Sequence, residues 1–181
     1  MHMNHCVKCD CKNTDNKPIR EYLFAPFECD DPKICDLLAY FLHKAPDIES
    51  AHSDKIDRSI HESIYRSLID GRHFYYEKIT FYGASISVAL KKCGMEGDIF
   101  CVKCKRLVCR KKSKEESNLD CLLRHIRNSI AHGYVYYVGD KKTKHIVFDD
   151  YNKRHNLSAR IICVQSDLEN WKTILNKQRN N

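Results

Sequence analysis

Arg127, Asn128 and His132 fall within about one and a half helical turns of a single apolar-striped stretch, Leu122 to Gly133, which reads Leu-Leu-Arg-His-Ile-Arg-Asn-Ser-Ile-Ala-His-Gly. Arginine is always cationic and grips a phosphate with a forked pair of donors, while histidine is the side chain most easily switched between acid and base near neutral pH. Such residues at such spacing suit phosphodiester chemistry, and so RNA. On a helix, Arg127 and Asn128 lie about 100° apart and His132 falls one turn beyond Asn128, so Asn128 and His132 share a face that the long Arg127 can reach. Leu122, Leu123, Ile126 and Ile130 point elsewhere, into a core. His125 lies beside the motif on another face and reads as structural. The set also has a purely structural reading: an arginine paired with a carboxylate, an asparagine satisfying the backbone, and a histidine favoured by the helix dipole.

Composition frames this site. The chain has 181 residues, 43% of them hydrophobic, enough for one core and one compact domain. No run approaches the roughly 18 consecutive apolar residues of a membrane span, and Met1 to Lys12 is polar and cysteine-rich rather than signal-like. The expectation is a soluble, cytoplasmic protein that does not engage a membrane. The net charge is +7, concentrated between Lys103 and Lys114, where Lys105, Arg106, Arg110, Lys111 and Lys112 also fall. A basic run just ahead of the Arg/His helix would concentrate a polyanion there; a solvated loop is the equal alternative. Arg124, Lys111 and Lys112 are candidates for gripping an RNA backbone, with a solvated-face role as the alternative for each.

The elements expected to position the site are mostly helices. Residues 1–30 lack periodicity and form a cysteine-rich arm ahead of a helical domain over 31–181. Asp31-Pro32 starts a first helix whose stripe is Ile34, Leu37, Leu38, Phe41 and Leu42. Ser53 caps a second, with Ile56, Ile60, Ile64 and Leu68 repeating up to Gly71. Phe74 to Leu90 is read as a third, on Ile79, Ile86 and Leu90. Residues 93–117 break periodicity and read as an irregular, cysteine-rich basic insertion. Ser117 to Asp120 resembles a capping box, so the Arg/His helix begins near Asn118. Tyr134 to Val138, His145 to Phe148 and Leu157 to Val164 read as short antiparallel strands, and Ser166 to Gln178 as a closing helix buried through Leu168, Trp171, Ile174 and Leu175.

The string Arg127-Asn-Ser-Ile-Ala-His132-Gly resembles the Arg-x4-6-His signature of HEPN domains, with their common polar residue directly after the arginine. The helices upstream, and the strands and final helix downstream, resemble prokaryotic members associated with plasmids and phage defence. The resemblance spans roughly Asp31 to Gln178 and does not include the cysteine segments. It implies a mainly α fold: a HEPN-like four-helix bundle with a small C-terminal antiparallel hairpin and a final helix. It also implies a homodimer in which two motif helices build one composite, metal-independent endoribonuclease site, with no catalytic metal. There His132 would move a proton to or from the ribose 2′-hydroxyl or the leaving 5′-oxygen, a task suited to an imidazole of ordinary pKa about 6.5. Arg127 would stabilise charge developing on phosphorus, and Asn128 would orient the histidine or the phosphate. The products would be a 2′,3′-cyclic phosphate and a 5′-hydroxyl. A role as a toxin or in phage defence follows, with an antitoxin or regulatory protein as partner. The rival reading is a catalytically silent HEPN-like module that binds RNA, a nucleotide or a protein.

Eleven cysteines without a visible signal peptide read as reduced thiols. Two Cys-Val-Lys-Cys segments, Cys6/Cys9 and Cys101/Cys104, have the gap that tetrahedral zinc favours, and would tie the arm to the insertion through a structural zinc. Four thiolates leave no open position for water, so that metal would do no chemistry. A third reading is therefore a zinc-stabilised interaction module with the Arg/His helix as its dimer interface. Cys35, Cys121 and Cys163 read as core. Phe74, Tyr75, Tyr76, Phe81 and Tyr82 could stack bases, though aromatics on a helical face are more often core or dimer interface. No phosphate-cradling glycine loop, His-Glu-x-x-His or Gly-x-Ser-x-Gly occurs, so nucleotide hydrolysis, zinc proteolysis and esterase chemistry have no support.

Overall fold

The computed structural model describes residues 16–19, 23–24, 31–46, 55–139 and 143–179. Among them the strands are β1 (Asn16–Pro18), β2 (Leu23–Phe24), β3 (Tyr76–Thr80), β4 (Ile99–Cys101), β5 (Arg106–Arg110), β6 (Val135–Gly139), β7 (Lys144–Tyr151) and β8 (Leu157–Val164). The α-helices are α1 (Pro32–His43), α2 (His61–Ile69), α3 (Ser87–Lys92), α4 (Asn118–Ala131) and α5 (Gln165–Arg179). No helix among the described residues is long and apolar enough to cross a membrane.

Local chemistry explains the helices. Asp31 caps α1 by accepting from the amides of Lys33 at 3.0 Å and Ile34 at 3.3 Å, with Pro32 at the first helical position. Ser117 caps α4 by accepting from the Asp120 amide at 3.0 Å, and the same hydroxyl lies 2.9 Å from Nδ1 of His61 at the start of α2. The second helix begins later than its stripe suggests: Asp57 caps a short 3-10 turn, Arg58–Ile60, that leads into it. Ser53 lies outside the described residues.

The expectation of a mainly α four-helix bundle is overturned. The protein is mixed α/β, built on a sheet in the order β2-β6-β7-β8-β5-β3, with the two-residue β2 at one edge. Phe74 to Leu90 is not a helix. Tyr76 to Thr80 pairs in parallel with β5, a turn follows, and only Ser87–Lys92 is helical. The aromatic and β-branched side chains suit a half-buried strand, and that preference prevails over the weak four-residue spacing. Nor is 93–117 an irregular insertion. It contributes β4, which pairs with β1, and β5, which sits inside the sheet between β3 and β8. Leu107, Val108 and Cys109 are fully buried there.

Strand alternation sorts the core into two layers. Leu107, Cys109, Ile146, Phe148, Ile161 and Cys163 face α1, α2, α4 and α5, of which α4 and α5 pack directly on the sheet. Val108, Val147 and Ile162 face the opposite side, under α3, Met95 and Phe100. Trp171 of α5 donates its indole N–H to the Leu68 carbonyl at 2.7 Å and stacks on Phe74, which locks α5 to α2 and to the strand that follows. The basic run is divided by the same architecture. Arg106 is wholly buried, with its guanidinium on the carbonyls of Cys93 at 2.7 Å and Cys104 at 3.1 Å, and Lys105 pairs with Asp167 at 3.0 Å. The end of the run, Arg110 to Lys112, reaches a surface cleft.

Candidate functional site

The C-terminal half of α4 forms one wall of a cleft of about 620 Å³. Asn128 and His132 line it together, opposite Tyr82 and Gly83 from the turn after β3, Arg110 to Lys112 leaving β5, and Tyr151 to Lys153 leaving β7. Gly133, at φ +74°, ends the helix in the left-handed region that glycine tolerates. His132 is therefore the capping residue: its backbone N–H donates to the Asn128 carbonyl at 2.9 Å, while its side chain is exposed. Arg127 is half-buried on the neighbouring flank of α4 and is not among the residues lining this cleft.

Beneath the cleft lies a network that the sequence did not reveal. Asp150 of β7 is buried, and its Oδ2 accepts from Nδ1 of His125 at 2.6 Å and from the Asn128 amide at 3.3 Å. Ser158 of β8 donates to the Asp150 carbonyl at 3.0 Å, bracing that strand residue from its neighbour. Nε2 of His125 lies 2.9 Å from the Arg110 carbonyl. Both ring nitrogens thus face acceptors, an arrangement that the doubly protonated ring satisfies. Burial works against that charge, and the Arg124 guanidinium, 3.1 Å from Nε2, does so too; the Asp150 carboxylate and the Cys121 sulfur outweigh them and hold the His125 pKa above its ordinary value. Cys121, one turn earlier, is drawn down to about 6, chiefly by a hydrogen bond with the Cys109 thiol and then by His125, against the effect of burial.

Arg124 is committed to this framework. It grips buried Glu116 through Nε at 2.6 Å and a terminal nitrogen at 3.1 Å, and donates to the Arg110 carbonyl at 3.0 Å. Burial alone would raise the Glu116 carboxyl, but Arg124 and the Lys112 amide hold it below the usual carboxylate range. The expected phosphate ligand is thus tied into the wall, whereas Lys111 and Lys112 stand on the cleft rim. His125, expected on another face, is buried and hydrogen-bonded to Asp150, yet it lines the same cleft as Asn128 and carries Asn128 through their shared acceptor. A signal for this was available: Asp149-Asp150 interrupts the apolar strand His145 to Phe148, and two carboxylates there must find buried partners.

The network gives the fold a pH signature. The pKa of His125 is raised on folding, so its contribution to stability is complete below its ordinary value of 6.5 and is lost as pH rises through the elevated one. Glu116 acts oppositely: its contribution holds above the ordinary carboxylate range and is lost as pH falls through its lowered pKa. In thermal melts, His125→Asn is expected to start below wild type at low pH, and the gap between the two to narrow as pH rises above about 6.5, with the lowered Cys121 thiol adding an opposite slope to both. Parallel profiles for the two proteins would contradict the assignment.

Of the expected zinc ligands, Cys6 and Cys9 lie outside the described residues, Cys101 is buried at the end of β4 and Cys104 is disulfide-bonded. No metal-ligating cluster of His, Cys, Asp or Glu occurs among the described residues.

The sequence matches a family model described as HEPN pEK499 p136 over residues 34–178, from the first turn of α1 to the end of α5. The chain belongs to that HEPN family. No curated protein and no solved structure matches it. The matched span takes in β3 to β8, so in this HEPN chain the main sheet apart from its edge strand β2 lies within the matched residues. It is a HEPN-type, nuclease-like module in which Asn128 and His132 of the Arg/His motif share one cationic cleft.

Proposed function

We propose that this HEPN module is a metal-independent endoribonuclease that cleaves RNA by attack of a ribose 2′-hydroxyl on the adjacent phosphorus, in phage defence or as a toxin. The observation that carries the reading is the meeting of Asn128 and His132 in a cleft rimmed by Arg110, Lys111, Lys112 and Lys153. The rim supplies charge for a phosphodiester backbone. At the helix end the exposed imidazole of His132 is open to a reacting oxygen, while Asn128 is held by Asp150 and so keeps a fixed orientation. In the reaction the 2′-oxygen gives up its proton and bonds to phosphorus, and the 5′-oxygen leaves with a proton. Two proton transfers on opposite sides of one phosphorus are most simply met by His132 from each of two copies. From the neighbouring flank of α4, Arg127 would then stabilise the charge on phosphorus in that shared site.

The test is incubation of the purified protein with a structured RNA and with total tRNA in excess EDTA, followed by analysis of product ends. A 2′,3′-cyclic phosphate and a 5′-hydroxyl are expected. Failure of folded, dimeric protein to cleave either RNA overturns the nuclease reading; retained RNA binding would then mark a silent binding module.

A further inference from the structure

We propose that Phe81 and Tyr82 form a base-stacking platform and that the cleft takes single-stranded rather than duplex RNA. The proposal rests on the reading of RNA as the ligand of this site.

Phe81 is 82% exposed and Tyr82 62%, side by side. Aromatic side chains that could be buried usually are, because each removes a large apolar area from water. Of their neighbours in the cluster, Phe74 stacks on Trp171 and Tyr76 is half-buried in β3, while Tyr75 is 48% exposed. These two are instead held outward by a tight turn. The Ala84 amide donates to the Phe81 carbonyl at 3.1 Å, and Gly83 has φ +78°, the left-handed value that the third residue of a type II turn requires.

The turn is anchored to the basic segment. Beyond the end of the β3–β5 ladder, the Lys111 amide donates to the Thr80 carbonyl at 3.1 Å, and the Thr80 hydroxyl donates to the Cys109 carbonyl at 3.3 Å. The aromatics and the cations therefore keep a fixed relation. Tyr82 lines the same cleft as His132; Phe81 lines a second cavity of about 380 Å³ with Arg66 and Lys78; Lys111 lines both. Two adjacent rings thus stand on a ridge between a cationic groove and one of mixed charge, where Glu77 accompanies Arg66 and Lys78, with Lys111 shared by both; single strands are held in this way, backbone in a basic channel and bases on π-faces. A duplex cannot use the ridge, since its base faces are already stacked and its major groove is too narrow for side chains.

Full-length protein is titrated against a labelled oligoribonucleotide whose 2′-oxygens are methylated, so that it cannot be cleaved, as a single strand and as a duplex, at one fixed salt concentration. Wild type is expected to prefer the single strand by on the order of tenfold, Tyr82→Ala to weaken that binding by a similar factor with duplex affinity unchanged, and Tyr82→Trp to restore it. Unchanged melting temperature shows that Tyr82→Ala is folded. Equal affinity of wild type and Tyr82→Ala for the single strand overturns the platform, as does loss of self-association in Phe81→Ala with RNA affinity intact. Cleavage in EDTA together with equal affinities would sink the platform and keep the nuclease; stacking-dependent binding without cleavage would do the reverse. No RNA binding by folded wild type sinks both.

Discussion

His132→Ala is expected to reduce RNA cleavage in EDTA by about 10²- to 10⁴-fold, the range that a positioned proton-transfer group contributes. The fold should not register the change. The capping interaction of His132 is made by its backbone N–H, which alanine retains, and its side chain is exposed. Melting temperature should therefore stay within the scatter usual for surface substitutions, and the loss of activity can be read as chemistry. Arg127→Lys separates charge from geometry: lysine keeps the cation but lacks the fork, and about a 10²-fold loss is expected if the guanidinium contacts charge forming on phosphorus. Asn128→Ala should lose less, because Asn128 acts through orientation and Asp150 remains bonded to His125. The measurement is single-turnover cleavage of one defined RNA by each variant. Wild-type rates from His132→Ala would remove it from the reaction, and with it the mechanism proposed above.

How far the site is legible in the sequence depends on the distance over which each residue is specified. Everything that defines α4 is local: Ser117 caps it, Leu119, Leu122, Leu123, Ile126 and Ile130 stripe it, and Gly133 ends it. The motif helix can therefore be read in order, and so can β6, β7 and β8, an antiparallel meander of neighbours. The parallel pair β3–β5 cannot. Its partners are joined by a long crossover, and charged Arg106 and Arg110 at the ends of β5 disguise a strand whose centre is wholly buried. The framework of the site is hidden for the same reason. Glu116 and His125 look unremarkable in the chain, and Asp149-Asp150 signals only that buried partners are needed; the sheet brings β7 under α4, after which His125 and Asn128 share one acceptor. The exposure of Tyr82 follows likewise from the turn after a strand that periodicity reads as helix.

The largest expected effect on stability lies on the opposite face of the sheet. Asp149 and Arg160 are cross-strand partners in β7 and β8, both essentially inaccessible to water, and joined by two bonds of 2.7 and 2.6 Å in the bidentate geometry that guanidinium and carboxylate share. Arg160 also donates to the Met95 carbonyl at 2.8 Å, and its guanidinium carbon lies 4.3 Å from the centre of the Phe100 ring. One side chain thus fastens the β7–β8 ladder to the layer that covers it. Arg160→Ala strands a buried carboxylate, leaves the Met95 carbonyl without this donor and opens a void, so a loss of about 3–5 kcal/mol is expected. At a few degrees per kcal/mol for a chain of this size, the melting temperature should fall by on the order of 10 °C. The double variant Asp149→Leu/Arg160→Met should be much less damaging, because apolar packing then replaces both charges and neither is left alone. A double-mutant cycle on urea midpoints measures the coupling. Additive losses would mean that the pair holds no energy of its own, and that β7 and β8 are kept in register by their apolar side chains alone.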